Sequence, residues 1–167
     1  EYPTTLNFMI GMISKLFGGN KSEKDVKKIR PVVDQINQCF NQYQSLSNDE
    51  LRNKTNEFKQ RIAEGLNSVN TEINNKQKAA EDLPVVNINE KDVLYKEIDE
   101  LKKEKDKQLE VVLQEILPEA FAVVKETSRR FKENETLEVT ATELDRMLAV
   151  KKDSLTIEGD KASYKNS

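Results

Sequence analysis

The chain has 167 residues, 27 Lys and Arg against 30 Asp and Glu, a net charge of −3 and no histidine. That composition excludes His-based acid–base catalysis and His-ligated metal sites, and it offers no basic stripe for nucleic acid. A single cysteine, Cys39, excludes an internal disulfide framework and fits a reducing compartment.

Charged residues make up 34% and hydrophobic ones 36%, with only five glycines and four prolines. Few breakers and many Lys and Glu favour long, exposed helices over a thin core. Disorder ranks below that reading, because the apolar residues recur with helical period. No apolar run reaches the roughly 18–20 residues needed to span a bilayer, and the amino terminus lacks a secretory cleavage pattern.

Residues Glu1 to Phe8 read as a loose leader, either native or appended. Leu6, Phe8, Met9, Ile10, Met12, Ile13, Leu16 and Phe17 then form a short apolar segment that Gly18-Gly19 stops, with Lys21, Lys24, Lys27 and Lys28 beyond. An apolar helix followed by lysines fits an interfacial anchor on anionic headgroups. A terminal helix docked on its own domain or on a second copy fits equally well. Gly18-Gly19-Asn20-Lys21-Ser22 is not a phosphate loop, since the G-x-x-x-x-G-K-[ST] spacing and a preceding strand are both missing.

Ser22 or Asn20 can cap a helix with Val26, Ile29, Val33, Ile36, Phe40 and Tyr43 on one face, kinked or restarted at Pro31. Cys39 is read as a small, half-buried residue and not as a nucleophile. Ser47-Asn48-Asp49-Glu50 is a capping box. The helix it opens carries Leu51, Thr55, Phe58 and Ile62, then Leu66, Val69, Ile73, Ala80 and Leu83, with Gly65 a weak point between them. Leu83 to Asn89 is the turn. The next helix carries Val93, Leu94, Ile98, Leu101, Leu109, Val112, Leu113 and Ile116, and Lys102–Gln108 is a solvated stretch supported by i,i+4 pairs such as Lys102–Asp106.

Leu117–Arg130 is the densest apolar run. Its projection puts Leu117, Ala120, Phe121, Val124 and Phe131 on one face and Lys125, Glu126, Arg129 and Arg130 away from it, with Pro118 suited to a first helical turn. Antiparallel pairing about Asn87 sets Ile73 by Leu101, Leu66 by Leu109, Ile62 by Leu113, Phe58 by Leu117 and Leu51 by Val124. Beyond Phe131, Leu137–Ala141 alternates like a strand. Thr142–Asp145 can cap a small helix with Leu144, Met147 and Leu148, and Leu155–Tyr164 reads as a hairpin. The abrupt end at Ser167 suggests a natural chain that continues.

Two stretches resemble a known family. Leu46-Ser47-Asn48-Asp49-Glu50-Leu51-Arg52-Asn53-Lys54-Thr55-Asn56-Glu57-Phe58-Lys59-Gln60-Arg61-Ile62 is similar to a segment near the start of SecA proteins, the bacterial preprotein-translocase motor ATPases. Leu117-Pro118-Glu119-Ala120-Phe121-Ala122-Val123-Val124-Lys125-Glu126-Thr127-Ser128-Arg129-Arg130 resembles a later segment of the same family, and Met9–Phe17 resembles its amino terminus. The three occur in the family's order. SecA proteins usually join the two long segments by a short linker, so Leu66–Ile116 looks like a lineage-specific insertion of the Bacteroidetes type.

The resemblance implies a fragment of a cytoplasmic motor, peripheral on the inner face of the plasma membrane, that pushes preproteins through a SecY-type channel. ATP and Mg are implied for the parent protein and no cofactor for this fragment, because the family's nucleotide motifs match nothing here. No catalytic, cofactor-binding or metal-ligating residue is expected, and the fragment alone should be inactive. The family's amino-terminal helix implies contact with acidic phospholipid, with the channel and with a second copy as a homodimer. Those roles map onto Met9, Ile10, Met12, Ile13, Lys15, Leu16, Phe17, Lys21 and Lys24.

The expected architecture is mainly α: a long antiparallel helical hairpin, amino-terminal helices and a small carboxy-terminal β-hairpin. Three regions are expected: a leader and amphipathic anchor over 1–21, a helical region over 22–131 with the insertion at about 66–116, and a mixed α/β tail over 132–167. That tail would begin a truncated nucleotide-binding domain. The alternative reading is a stand-alone helical coiled-coil adaptor without enzymatic activity.

Overall fold

The computed structural model describes residues 23–166. Within them the helical periodicity resolves into α1 (Glu23–Tyr43), α2 (Asn48–Asp82), α3 (Ile88–Glu133) and the short α4 (Glu143–Ala149). The strands are β1 (Thr136–Thr140), β2 (Leu155–Glu158) and β3 (Lys161–Lys165). The chain is mainly α, as its composition implies.

α2 starts where the sequence says it should. The Glu50 amide donates to Ser47 Oγ at 3.2 Å and the Ser47 amide to Glu50 Oε2 at 2.7 Å, closing the capping box. The helix runs through Gly65 without a break. The missing side chain there lets α3 come close, because a Cβ at Gly65 would lie 2.7 Å from Val112 Cγ2. The turn spans 83–87.

α3 differs most from expectation. It is one helix of 46 residues that contains both the charged stretch Lys102–Gln108 and Pro118. Pro118 is therefore an interior proline and not a first-turn one, and the carbonyl of Gln114 loses its intrahelical donor there. Pro31 likewise sits inside an unbroken α1. In the charged stretch the lysines pair backward at i,i−3, Lys102 with Asp99, Lys103 with Glu100 and Lys107 with Glu104, in place of Lys102–Asp106.

Leu66, Val69, Ile73 and Ile98 form the core of the hairpin, with Ile62, Leu101 and Leu109 packed against them. This far half keeps the expected register. Toward the base the register drifts, with Gly65 facing Val112. There Leu51 packs with Ala122 and Val123, while Val124 is 64% exposed and not beside Leu51. The physical reason is the i,i+4 stripe that α3 turns inward, Pro118, Ala122, Glu126 and Arg130. Polarity had assigned two of those four to solvent.

α1 lies against this base through Tyr43, Phe40 and Cys39, and the Lys125 ammonium sits 4.2 Å from the Phe40 ring centroid. Of the expected face, Ile29, Ile36, Phe40 and Tyr43 are buried or half-buried, while Val26 and Val33 are exposed and Val32 is half-buried in place of Val33. Leu144 and Met147 of α4 are exposed as well.

The sheet is larger than a hairpin. β3 pairs antiparallel with both β1 and β2, in the order β1-β3-β2. Gly159 supplies φ +61 at the first position of the two-residue turn between β2 and β3, where glycine carries no Cβ penalty.

Candidate functional site: the ionic junction

The base of the hairpin meets the sheet through charged side chains. Arg52, one turn into α2, donates from Nη1 and Nη2 to both oxygens of Asp145, at 2.8 and 2.7 Å. Asp145 is the N3 residue of α4's capping box and fully buried. It also accepts from Thr142 N at 2.8 Å and from the Tyr164 hydroxyl of β3. The Arg52 guanidinium, opposed by burial and helped by Tyr164 and Thr142, holds the Asp145 carboxyl well below the usual carboxylate range. Burial and then the Asp145 carboxylate push the Tyr164 hydroxyl up to about 12.

Beside it, Asp49 accepts from Thr140 N at 2.8 Å and Thr140 Oγ1 at 2.7 Å, and Asn48 Nδ2 donates to Glu138 O at 2.9 Å. The first turn of α2 is thereby bonded to β1 on both sides.

A second cluster fixes the α1–α2 turn. Arg130 donates from Nε to Glu126 Oε1 at 2.7 Å, from Nη1 to Asn48 Oδ1 at 2.7 Å, and from Nη2 to the carbonyls of Tyr43 and Leu46 at 3.1 and 2.6 Å. Arg129 makes two more bonds to Glu126, at 2.8 and 2.7 Å. Arg129 and then Arg130 hold the fully buried Glu126 carboxyl below its ordinary pKa against the effect of burial. Glu119 accepts from Arg61 and from the Tyr43 hydroxyl. Burial alone would raise its pKa, but these two bonds turn the balance downward. No buried side-chain polar atom among the described residues lacks a partner. A network satisfied to that degree fixes orientation.

Between these clusters lies a cavity of about 290 Å³ lined by Leu51, Val123, Phe131, Leu137 and Val139, among others. ATP and its magnesium find no cradle among the described residues. Gly65 is helical against Val112, Gly159 sits in a hairpin turn, and no cluster of acidic, cysteine or histidine side chains has metal-holding geometry. The junction holds elements together. Gly18-Gly19, together with Met9, Ile10, Met12, Ile13, Lys15, Leu16, Phe17 and Lys21, lies outside the described residues, and Lys24 belongs to the first turn of α1.

Residues 13–144 match the family model described as the SecA DEAD-like domain. The chain belongs to the SecA family. It is similar to the protein translocase subunit SecA of Porphyromonas gingivalis, at 43% identity over 154 residues, which is 92% of this chain and 14% of that protein. For the SecA of Amoebophilus asiaticus the identity is 46% over 158 residues, 95% of this chain and 14% of that one. For Christiangramia forsetii it is 44% over 155 residues, 93% and 14%. The chain thus spans about 14% of the length of the SecA proteins it matches. No solved structure matches it significantly.

The SecA-like stretches Leu46–Ile62 and Leu117–Arg130 supply Asn48, Asp49, Arg52 and Arg61 on one side, and Glu119, Glu126, Arg129 and Arg130 on the other. Sequence reasoning quoted these residues for the resemblance and gave them no structural role. The signal that could have found them is the four-residue spacing of Ala122, Glu126 and Arg130, an ion pair on a stripe that is otherwise apolar.

Proposed function

We propose that this chain is the amino-terminal part of an ATP-driven protein-translocation motor, within which it is a catalytically silent scaffold. The observation that carries the reading is the junction: Asp49 and Arg52 of the first SecA-like stretch bond the helical region to the α/β tail, and Arg130 of the second ties α3 to the start of α2 at Asn48. A scaffold of this kind gives the start of a nucleotide-binding domain a fixed orientation, and the ATP and Mg chemistry belongs to residues beyond 167. Region 22–131 is then the helical scaffold, region 132–167 the start of that domain, and 1–21 the anchor. The partners of the whole motor are a SecY-type channel and preprotein substrates, at the cytoplasmic face of the membrane. No helix among the described residues is long and apolar enough to cross it.

The test is the full-length product of the gene. It should carry a G-K-T phosphate loop within a few tens of residues after Ser167, and its ATPase should rise when preprotein and channel-bearing vesicles are added. A gene without that loop would leave the adaptor reading. For residues 1–21, flotation of the full-length protein with anionic vesicles should drop when the segment is deleted. Equal recovery would remove the anchor role from Met9–Phe17 and the lysines that follow.

A further inference from the structure

The tip of the α2–α3 hairpin carries an apolar cluster that the hairpin does not use. Val85 is 83% exposed, Val86 86% and Ile88 64%. The seam is already complete beneath them, with Ala80 fully buried and Leu83 and Leu94 half-buried. Polar residues would close the turn as well and would cost no hydration. The loop is hydrogen-bonded at its base: the Asn87 amide donates to Pro84 O at 3.0 Å and the Lys91 amide to Asn87 O at 3.1 Å. Pro84 fixes its own φ, and the valines are stiff at χ1. A preformed apolar knob of this kind loses little entropy on docking.

The charges around it select the partner. Glu81, Asp82, Glu90 and Asp92 are all exposed at the tip, with Lys78 and Lys91 as the basic residues of the same stretch. Glu81 and Asp82 occupy the last turn of α2, which holds no basic residue. Anions there oppose the helix dipole, so the acidic rim stands at a local cost. An anionic bilayer surface would be repelled by it. Cytoplasmic loops of membrane proteins carry an excess of Lys and Arg and so complement it.

We propose that the hairpin tip is a docking knob for a membrane-embedded protein, its valines entering an apolar cleft between Lys/Arg-rich cytoplasmic loops. The membrane setting rests on the translocation-motor reading above. The α2 arm, at 35 residues, carries the tip about 50 Å from the junction. Contact there leaves the scaffold's own packing untouched.

The test measures binding of the full-length protein to three probes. These are urea-stripped inverted inner-membrane vesicles of the bacterium that carries the gene, the same vesicles shaved with trypsin, and liposomes of the extracted lipid. Two variants are compared with wild type, V85S/V86S and E81K/D82K/E90K. Both should bind intact vesicles on the order of ten-fold more weakly, as when an interface hot spot is removed, while on liposomes V85S/V86S should bind as wild type does and E81K/D82K/E90K at least as well. Trypsin shaving should erase the V85S/V86S difference. Wild-type binding of intact vesicles by both variants would overturn the proposal. An equal loss on liposomes would overturn it too, by making lipid the occupant. Unchanged melting and basal ATPase would show that the variants are folded. A wild-type protein without preprotein-stimulated ATPase would sink the motor reading instead, whatever the vesicles show.

Discussion

Along the far half of the hairpin, α2 and α3 touch through Leu66, Val69, Ile73 and Ile98, while the ion pairs there, such as Lys76–Glu97, stand at the surface. At the base of the same two helices the order is inverted. Glu126, Arg130 and Asp145 are buried, and Val124 faces water. Apolar contact is non-directional, worth about 1.5–3 kcal/mol per large side chain, and exposed pairs like Lys103–Glu100 add little because water screens them. Such a seam holds two rods together but tolerates sliding. A bidentate arginine has one geometry, so the base fixes how helices and sheet sit against each other. Adhesion and orientation are supplied by different regions of one helix pair.

The comparison breaks most sharply at Glu126. Glu126→Gln removes the charge that compensates buried Arg130, and the loss in unfolding free energy should be about 3–5 kcal/mol by chemical denaturation. A loss below about 1 kcal/mol would mean that the buried pair contributes no more than a surface one. Arg52→Met should cost about 2–4 kcal/mol, discounted because Arg52 is itself 34% exposed.

The same variant sharpens the contrast through pH. Asp145, Glu126 and Glu119 all have folded-state pKa values below the ordinary range. Their contribution is therefore present above the unfolded carboxylate pKa of about 4 and is lost as pH falls below it. Arg52→Met should flatten that acid slope, and melting curves between about pH 2 and pH 6 would show it. Tyr164 works in the other direction. Its pKa is raised from 10 to about 12, so its share is whole below pH 10 and lost as pH rises through 12.

The smallest effect belongs to the rod. Gly65→Ala forces its methyl against Val112, at a net cost of about 1–2 kcal/mol after the gain in helix propensity. In a Val112→Ala background the same change should be neutral or stabilising, and the acid slope should match wild type in both. A cost that persists without Val112 would rule out the close approach as its cause.

The rod was legible in the sequence because its chemistry is periodic. Leu66, Ile73, Leu101 and Leu109 recur at helical spacing, and one turn at Asn87 sets their pairing. The capping boxes at Ser47 and Thr142 were legible for a similar reason, since each lies within four residues. The junction was not. Arg52 finds Asp145 across 93 positions and Arg130 finds Asn48 across 82, separations that no local pattern encodes. Polarity was misleading there, because a charged residue with a partner buries where an unpartnered valine does not, and Val124 and Glu126 exchange the places a projection gives them. Pro118 misled in its own way, since a proline usually marks a helix start and here the helix passes through it.

That passage through Pro118 leaves one turn of α3 without a backbone bond, with about 45 Å of helix between it and Ile88. By helical rise, a tilt of about 5° at that turn would correspond to about 4 Å at the tip. The adjoining residue, Glu119, accepts from Tyr43 of α1 and Arg61 of α2, so the turn that lacks a bond of its own is the one both neighbouring helices hold.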